Sequence, residues 1–119
     1  MRLTEAEWSV LSVLWRGERF ALGEVTEALR EEKKWSRNTV HTYLTRMEAK
    51  GLVRIDRASE KPYAANVARE DCARQERRDL LHRVYDGAAG DLVAAFLQDA
   101  DMSKQEIARL KKLLDEMEV

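Results

Sequence analysis

Apolar positions recur every three or four residues over most of this chain, with one interruption between residues 52 and 67. The first helical stretch opens at Leu3-Thr4-Glu5-Ala6-Glu7, the wording of a capping box in which Thr4 is the N-cap and Glu7 reaches back from the third position. It places Trp8, Leu11, Leu14 and Trp15 on one broad face, with Val10 beside them and Gly17 at its end. Two tryptophans on such a face read as core residues, since each buries a large area. A second helix is expected from about Leu22 to Lys33, with Val25, Ala28 and Leu29 inward. Its start is poorly capped, because neither Ala21 nor Gly23 offers a side-chain oxygen. The third helix covers 36–50: Ser36 is a good N-cap, Gly51 suits the left-handed position past the end, and Val40, Leu44 and Met47, edged by Tyr43, form one stripe. Trp35, just ahead of the cap, is placed to brace the turn.

After Gly51 the period changes from helical to alternating. Residues 52–57 read as a strand with Val53 and Ile55 on one side and Arg54 on the other, 58–62 as a turn, and 63–67 as a returning strand. Pro62 falls at the strand's start, where a missing N–H is tolerated. Helical periodicity then resumes over 68–84, in a helix whose first half has little apolar surface, as in helices that bridge lobes. A short helix around 92–97 is apolar nearly all round, which predicts burial. The last helix opens with Ser103 and Glu106 as a second capping box and carries Ile107, Leu110, Leu114 and Met117 in a stripe, with Leu113 alongside. The predicted fold is mainly α with a small β-hairpin. A winged helix-turn-helix domain spans 1–67, with the hairpin as wing, and a C-terminal three-helix lobe spans 68–119. About fifty residues supply too little core to stand alone in water. The apolar positions Leu81, Val84, Leu92, Val93, Phe96, Leu97, Ile107, Leu110, Leu114 and Met117 are therefore expected to close against a second copy of the chain in a twofold dimer.

The outward face of the third helix carries Asn38, Thr42, Thr45 and Arg46, flanked by Thr39 and His41. A face meant only to be wet is mostly Glu and Lys, whereas these are short, stiff hydrogen-bonding groups. They suit the edges of bases in a major groove: asparagine pairs with adenine and threonine methyls meet thymine methyls. Asn38, His41, Thr42, Thr45 and Arg46 are the expected base contacts, and Arg37, Lys50, Arg54, Arg57 and Lys61 the expected phosphate contacts. A helix that is merely rich in threonine gives the same pattern, and the hairpin directly behind it is what favours the groove reader. The net charge of −1 does not suggest a nucleic-acid partner, but its distribution does. Residues 1–67 hold 12 Lys/Arg against 10 Asp/Glu, whereas residues 68–119 hold 9 against 12.

Other chemistries lack their residues. The two histidines, His41 and His82, fall in different lobes, and Cys72 lies ten positions before His82, nearly three helical turns away. That spacing forms no nucleophile–base pair within one helix, and neither catalysis nor metal binding is expected. Cys72 reads as a partly buried structural residue or an oxidisable bystander, and with one cysteine there is no internal disulfide. No cofactor and no small-molecule ligand are called for. No apolar run is long enough to span a bilayer and the first residues lack a signal-peptide core, so the expected compartment is the cytoplasm.

The order of elements and the local wording resemble the penicillinase-repressor family (the BlaI/MecI type, which includes copper-responsive repressors). The resemblance rests on Leu3-Thr4-Glu5-Ala6-Glu7-Trp8 with Val13-Leu14-Trp15, on Glu24-Val25 and Ala28-Leu29, and on Trp35-Ser36 with Thr39-Val40 and Thr42. Arg46 ahead of Lys50-Gly51-Leu52, Phe96-Leu97 and the 103–114 helix extend it over nearly the whole chain. It implies a homodimeric transcriptional repressor on double-stranded operator DNA, released when a membrane sensor protease signals. Release is linked in such proteins to cleavage just before a phenylalanine, which corresponds here to Ala95–Phe96. Well-studied members have Asn before that Phe, so this chain departs from the pattern. The copper branch uses a C-terminal cysteine cluster, and no cysteine follows Cys72, which argues against a copper-thiolate switch. The alternative from another class is a winged-helix module whose third helix faces a protein, without sequence-specific DNA binding.

Overall fold

Thr4 and Glu7 start the chain's first helix by exchanging hydrogen bonds. The Glu7 N–H donates to Thr4 Oγ1 at 3.1 Å, and the Thr4 N–H donates to Glu7 Oε1 at 2.9 Å. In the computed structural model, which describes residues 2–117, this capping box opens α1 (Glu5–Leu14). There follow α2 (Leu22–Lys33), α3 (Arg37–Ala49), β1 (Val53–Ile55), β2 (Tyr63–Ala65), α4 (Arg69–Tyr85), α5 (Ala89–Asp99) and α6 (Lys104–Glu116). At α2 only half a box forms, because Ala21 has no side-chain oxygen: Glu24 Oε1 accepts from the Ala21 N–H at 2.8 Å. Lys34 ends α2 in the left-handed region at φ 56°, and Gly51 turns the chain after α3 at φ 80°, a conformation that costs a residue without Cβ nothing.

The core is built from one stripe of each helix. Val10, Leu11, Val13 and Leu14 of α1 meet Val25 and Leu29 of α2 and Val40, Leu44 and Met47 of α3, closed below by Leu52, Val53 and Tyr63. The tryptophans sit elsewhere than the helical pattern suggests. Trp8 and Trp15 are half-buried at the margin of this core, edge to face at 5.7 Å, while the slimmer Val10–Leu14 ridge fills the space between α2 and α3. The indole explains part of this, since its N–H needs an acceptor: Trp15 Nε1 donates to the Val67 carbonyl at 2.9 Å. Ala28, expected inward, is exposed.

The hairpin is antiparallel, with Val53 opposite Ala65, Arg54 opposite Ala64 and Ile55 opposite Tyr63. Its strands are three residues each, shorter than the alternation implies, and the segment before α2 joins them through an isolated bridge. Phe20 and Tyr63 exchange both backbone hydrogen bonds, at 2.8 and 3.0 Å.

Two compact units result, one ending at Arg78 and the other beginning at Asp79. The division expected at 67/68 thus falls later, inside α4. Cys72 packs against the core and Arg69 lies over the Trp15 ring at 5.8 Å, which ties the first turns of α4 to the first unit. In the second unit no residue of α5 or α6 is buried. The burial expected for α5 is not found within one chain, since the unit supplies no second layer to cover it. Among the described residues, no helix is long and apolar enough to cross a membrane.

One buried carboxylate joins α1 to α3. Glu7, whose Oε1 caps α1, accepts on Oε2 from Lys50 Nζ at 2.7 Å, with its own side chain 4% exposed. Burial pushes the Glu7 carboxyl up, but the hydrogen bonds from Lys50 and Thr4, with the lysine charge, outweigh it and hold the group below its usual value of 4.5. A depressed carboxylate stabilises the fold above its unfolded-state pKa, and that stabilisation is lost as pH falls through the folded value. Thermal melts over a pH series should therefore show stability dropping below about pH 4.5. Glu7→Gln should flatten that drop and lower stability at neutral pH by about 1–3 kcal/mol, the cost of leaving buried polar partners unsatisfied.

Candidate nucleic-acid interface

The geometry of α3 starts from its cap and its stripe. Ser36 Oγ accepts from the Thr39 N–H at 3.2 Å, and Val40 and Leu44 are wholly buried with Met47 at 1% exposure. This burial sets the rotation of the helix, and Asn38, His41, Thr42, Thr45 and Arg46 all emerge exposed on the other side. Thr42 Oγ1 donates to the Asn38 carbonyl at 2.9 Å, so its proton is spent within the helix and its methyl and an acceptor lone pair remain. Among the described residues, no hydrogen bond or ion pair occupies the side chains of Asn38, His41, Thr45 or Arg46. Behind this face, Trp35 stacks on Tyr43 with centroids 4.5 Å apart, and Lys33 Nζ stands 5.8 Å from the Trp35 ring. The tryptophan does brace the turn between α2 and α3.

The expected phosphate-binding cations divide into two groups. Arg37 is exposed and, among the described residues, has no carboxylate partner. Its guanidinium lies so near α2 that a Cβ on Gly23 would stand 3.2 Å from Nη2, so the glycine makes room for it. Among the described residues, Arg54 reaches only Asn66 Oδ1, at 3.4 Å. The other three are already engaged inside the molecule. Lys50 is committed to Glu7, Lys61 pairs with Glu24 at 3.4 Å, and Arg57 makes a two-pronged pair with Glu48 at 3.0 and 2.9 Å. The Arg57 hydrogen bonds and charge hold the Glu48 carboxyl below its usual value.

Arg19 is a residue that sequence reasoning missed. From the turn after α1 its Nε donates to the Lys61 carbonyl at 2.8 Å, and its Nη2 meets Asp56 Oδ2 at 3.4 Å, which pins both arms of the wing. These partners are about forty positions away in sequence, and no local pattern announces them.

In the second unit the positions expected at a dimer interface are uncovered or partly covered. Val84, Val93, Phe96, Leu97, Ile107 and Leu114 are all at least 40% exposed, and Met117 is 65% exposed, while Leu81, Leu92 and Leu110 are half-buried. A groove of about 280 Å³ runs between α5 and α6, lined by Val93, Leu97, Ile107, Leu110, Leu113 and Leu114 with Lys111. The Ala95–Phe96 bond lies inside α5. Cys72 is half-buried, and burial with the Asp71 charge pushes its thiol up, away from a reactive thiolate.

The sequence profile of the family described as "Penicillinase repressor" matches residues 3–116. The chain is 28% identical over 116 residues to the methicillin resistance regulatory protein MecI of Staphylococcus aureus strain N315, covering 95% of this chain and 93% of that protein. It is also 28% identical over 116 residues to the penicillinase repressor of Bacillus licheniformis, covering 97% and 91%. Among solved structures, BpsR of Bordetella bronchiseptica is a loose likeness at 20% identity and a TM-score of 0.45, covering 98% of this chain and 76% of that one. The profile match extends from the first capping box to the end of α6, and the chain therefore belongs to the penicillinase repressor family, a family of DNA-binding transcriptional repressors and not of enzymes.

Proposed function

We propose that this protein acts as a homodimer that represses transcription from a dyad-symmetric operator, reading the major groove with α3. The observation that carries this reading is the exposed α3 face, whose Asn38, His41, Thr45 and Arg46 side chains have no partner among the described residues while the opposite face is locked into the core. An α-helix fits the major groove, and amide, hydroxyl, methyl and guanidinium groups are those that distinguish base edges there. Arg37 and Arg54 serve as phosphate contacts that fix the register of the helix on the duplex. The uncovered faces of α5 and α6 receive the second copy, since an apolar surface of this kind on a small unit marks an association site. Twofold pairing offers two α3 helices to two half-sites, which is why the operator should be palindromic. A cut at Ala95–Phe96 would split α5 within that apolar face and dissolve the dimer. A sensor protease is the partner this release step calls for, and it must first unwind that part of α5.

Three measurements test the reading. A mobility-shift titration against DNA upstream of its own gene should show a discrete complex that random duplex competes for poorly. Thr42→Ala with Thr45→Ala should reduce that preference roughly tenfold or more, in keeping with base contacts. No complex on any such fragment would sink the proposal and leave a protein-binding winged helix. Titrating the same complex against salt should give a steep linear fall of log K with log concentration. Arg37→Gln, which removes the arginine's charge, should reduce the slope by about 0.9 for each phosphate that is no longer neutralised. Sedimentation should show a dimer at micromolar protein. Leu97→Lys with Leu114→Lys should yield a monomer with a weakened operator complex, while the winged unit still melts cooperatively.

A further inference from the structure

The wing is anchored without Glu48, yet Glu48 holds an exposed arginine of the wing. Arg19 grips Asp56 and the Lys61 carbonyl, the Asp56 N–H donates to the Pro62 carbonyl at 2.8 Å, and Lys61 pairs with Glu24. The Glu48–Arg57 pair adds little to that anchorage, being partly solvated, with side-chain exposures of 32% and 67%. Its geometry is nonetheless the fork in which a guanidinium grips two oxygens, the arrangement that arginine also makes with a phosphate. Glu48 is the one carboxylate in α3, the helix whose other charged residues are arginines, so its position beside the reading face is a charge facing the wrong way for DNA. We propose that Glu48 is a specificity-determining residue that acts as an internal substitute for a DNA phosphate, keeping Arg57 occupied so that arbitrary duplex gains little from the wing.

The physical reason is that binding without sequence preference is almost wholly electrostatic, and each phosphate neutralised adds to it through counterion release. An arginine already paired releases no counterion unless the DNA first breaks the pair. Operator binding draws instead on base contacts from α3 and tolerates one phosphate per protomer left without its arginine. Masking Arg57 therefore widens the gap between operator and random sequence by lowering the weaker of the two affinities.

This inference rests on the DNA-binding reading above, and its test uses the full chain with random-sequence duplex as well as operator. Glu48→Gln should tighten random-duplex binding by up to about eightfold per protomer at 0.1 M salt and steepen its salt slope by about 0.9 per protomer, the signature of one additional neutralised phosphate. Arg57→Gln alone should change random-duplex binding little. Combined with Glu48→Gln, it should abolish the gain. A gain that survives Arg57→Gln would be a plain charge effect and would overturn the proposal, as would a Glu48→Gln slope equal to wild type. The wild-type chain failing to prefer any operator would overturn the repressor reading instead, and the random-duplex series separates the two. Circular dichroism melts of Glu48→Gln should match wild type, because Arg19 holds the wing. A lowered melting temperature with lost DNA binding would make Glu48 structural and refute the masking role.

Discussion

Everything that α3 presents outward depends on three side chains that it hides. Val40, Leu44 and Met47 lie at spacings of four and three on one face of a 13-residue helix, and all three are essentially inaccessible to water. Full burial of a side chain of this size contributes about 1.5–3 kcal/mol. Any other rotation would expose part of that stripe and bury Asn38, Thr42 or Thr45 without partners, which costs further. The helix therefore has one orientation, and the array of amide, imidazole, hydroxyl and guanidinium groups on its far side is fixed by packing. The left-handed turn at Lys34 and the stacked Trp35–Tyr43 rings hold the helix start in the same position.

A second constraint is electrostatic. Several basic residues around α3 and the wing are used to tie elements together: Lys50 joins α3 to the cap of α1, Arg57 joins the wing to α3, Lys61 joins it to α2, and Arg19 staples the hairpin's base. Apart from the Lys50 pair, whose Glu7 is buried, such surface pairs are individually weak, but together they determine which cations remain available to a partner. Arg37, Arg46 and Arg54 have no carboxylate partner among the described residues. These unpaired arginines on α3 and the wing stand in a chain whose net charge is only −1.

The second unit follows a different logic. It has too few residues to cover its own apolar side chains, and the groove between α5 and α6 stays open. Helices that a sequence marks as apolar are stable only when something layers over them. Among the described residues of this unit none does, and this is the physical ground on which we propose that another copy of the chain covers them.

The sequence by itself determined what depends on neighbours within a turn or two. The caps at Thr4 and Ser36 form as their spacing implies, and Ser103 caps α6 through the Glu106 N–H, without the return bond from its own N–H that a full box would have. The stripe of α3 is the observed core stripe, and the switch of period at residue 52 becomes the hairpin. The exposed face at Asn38, His41, Thr42, Thr45 and Arg46 follows from the same periodicity. Only the tertiary structure decided which cations are free. Lys50, Arg57 and Lys61 read alike with Arg37 and Arg54 in the sequence, yet their partners lie 43, 9 and 37 positions away. It also moved Trp8 and Trp15 to the rim, left α5 uncovered and carried the unit boundary into α4. Helical periodicity and capping are encoded by local hydrogen bonding and the 3.6-residue turn. Ion pairing, burial depth and unit boundaries depend on which distant surfaces the packed core brings together, and no local pattern specifies them.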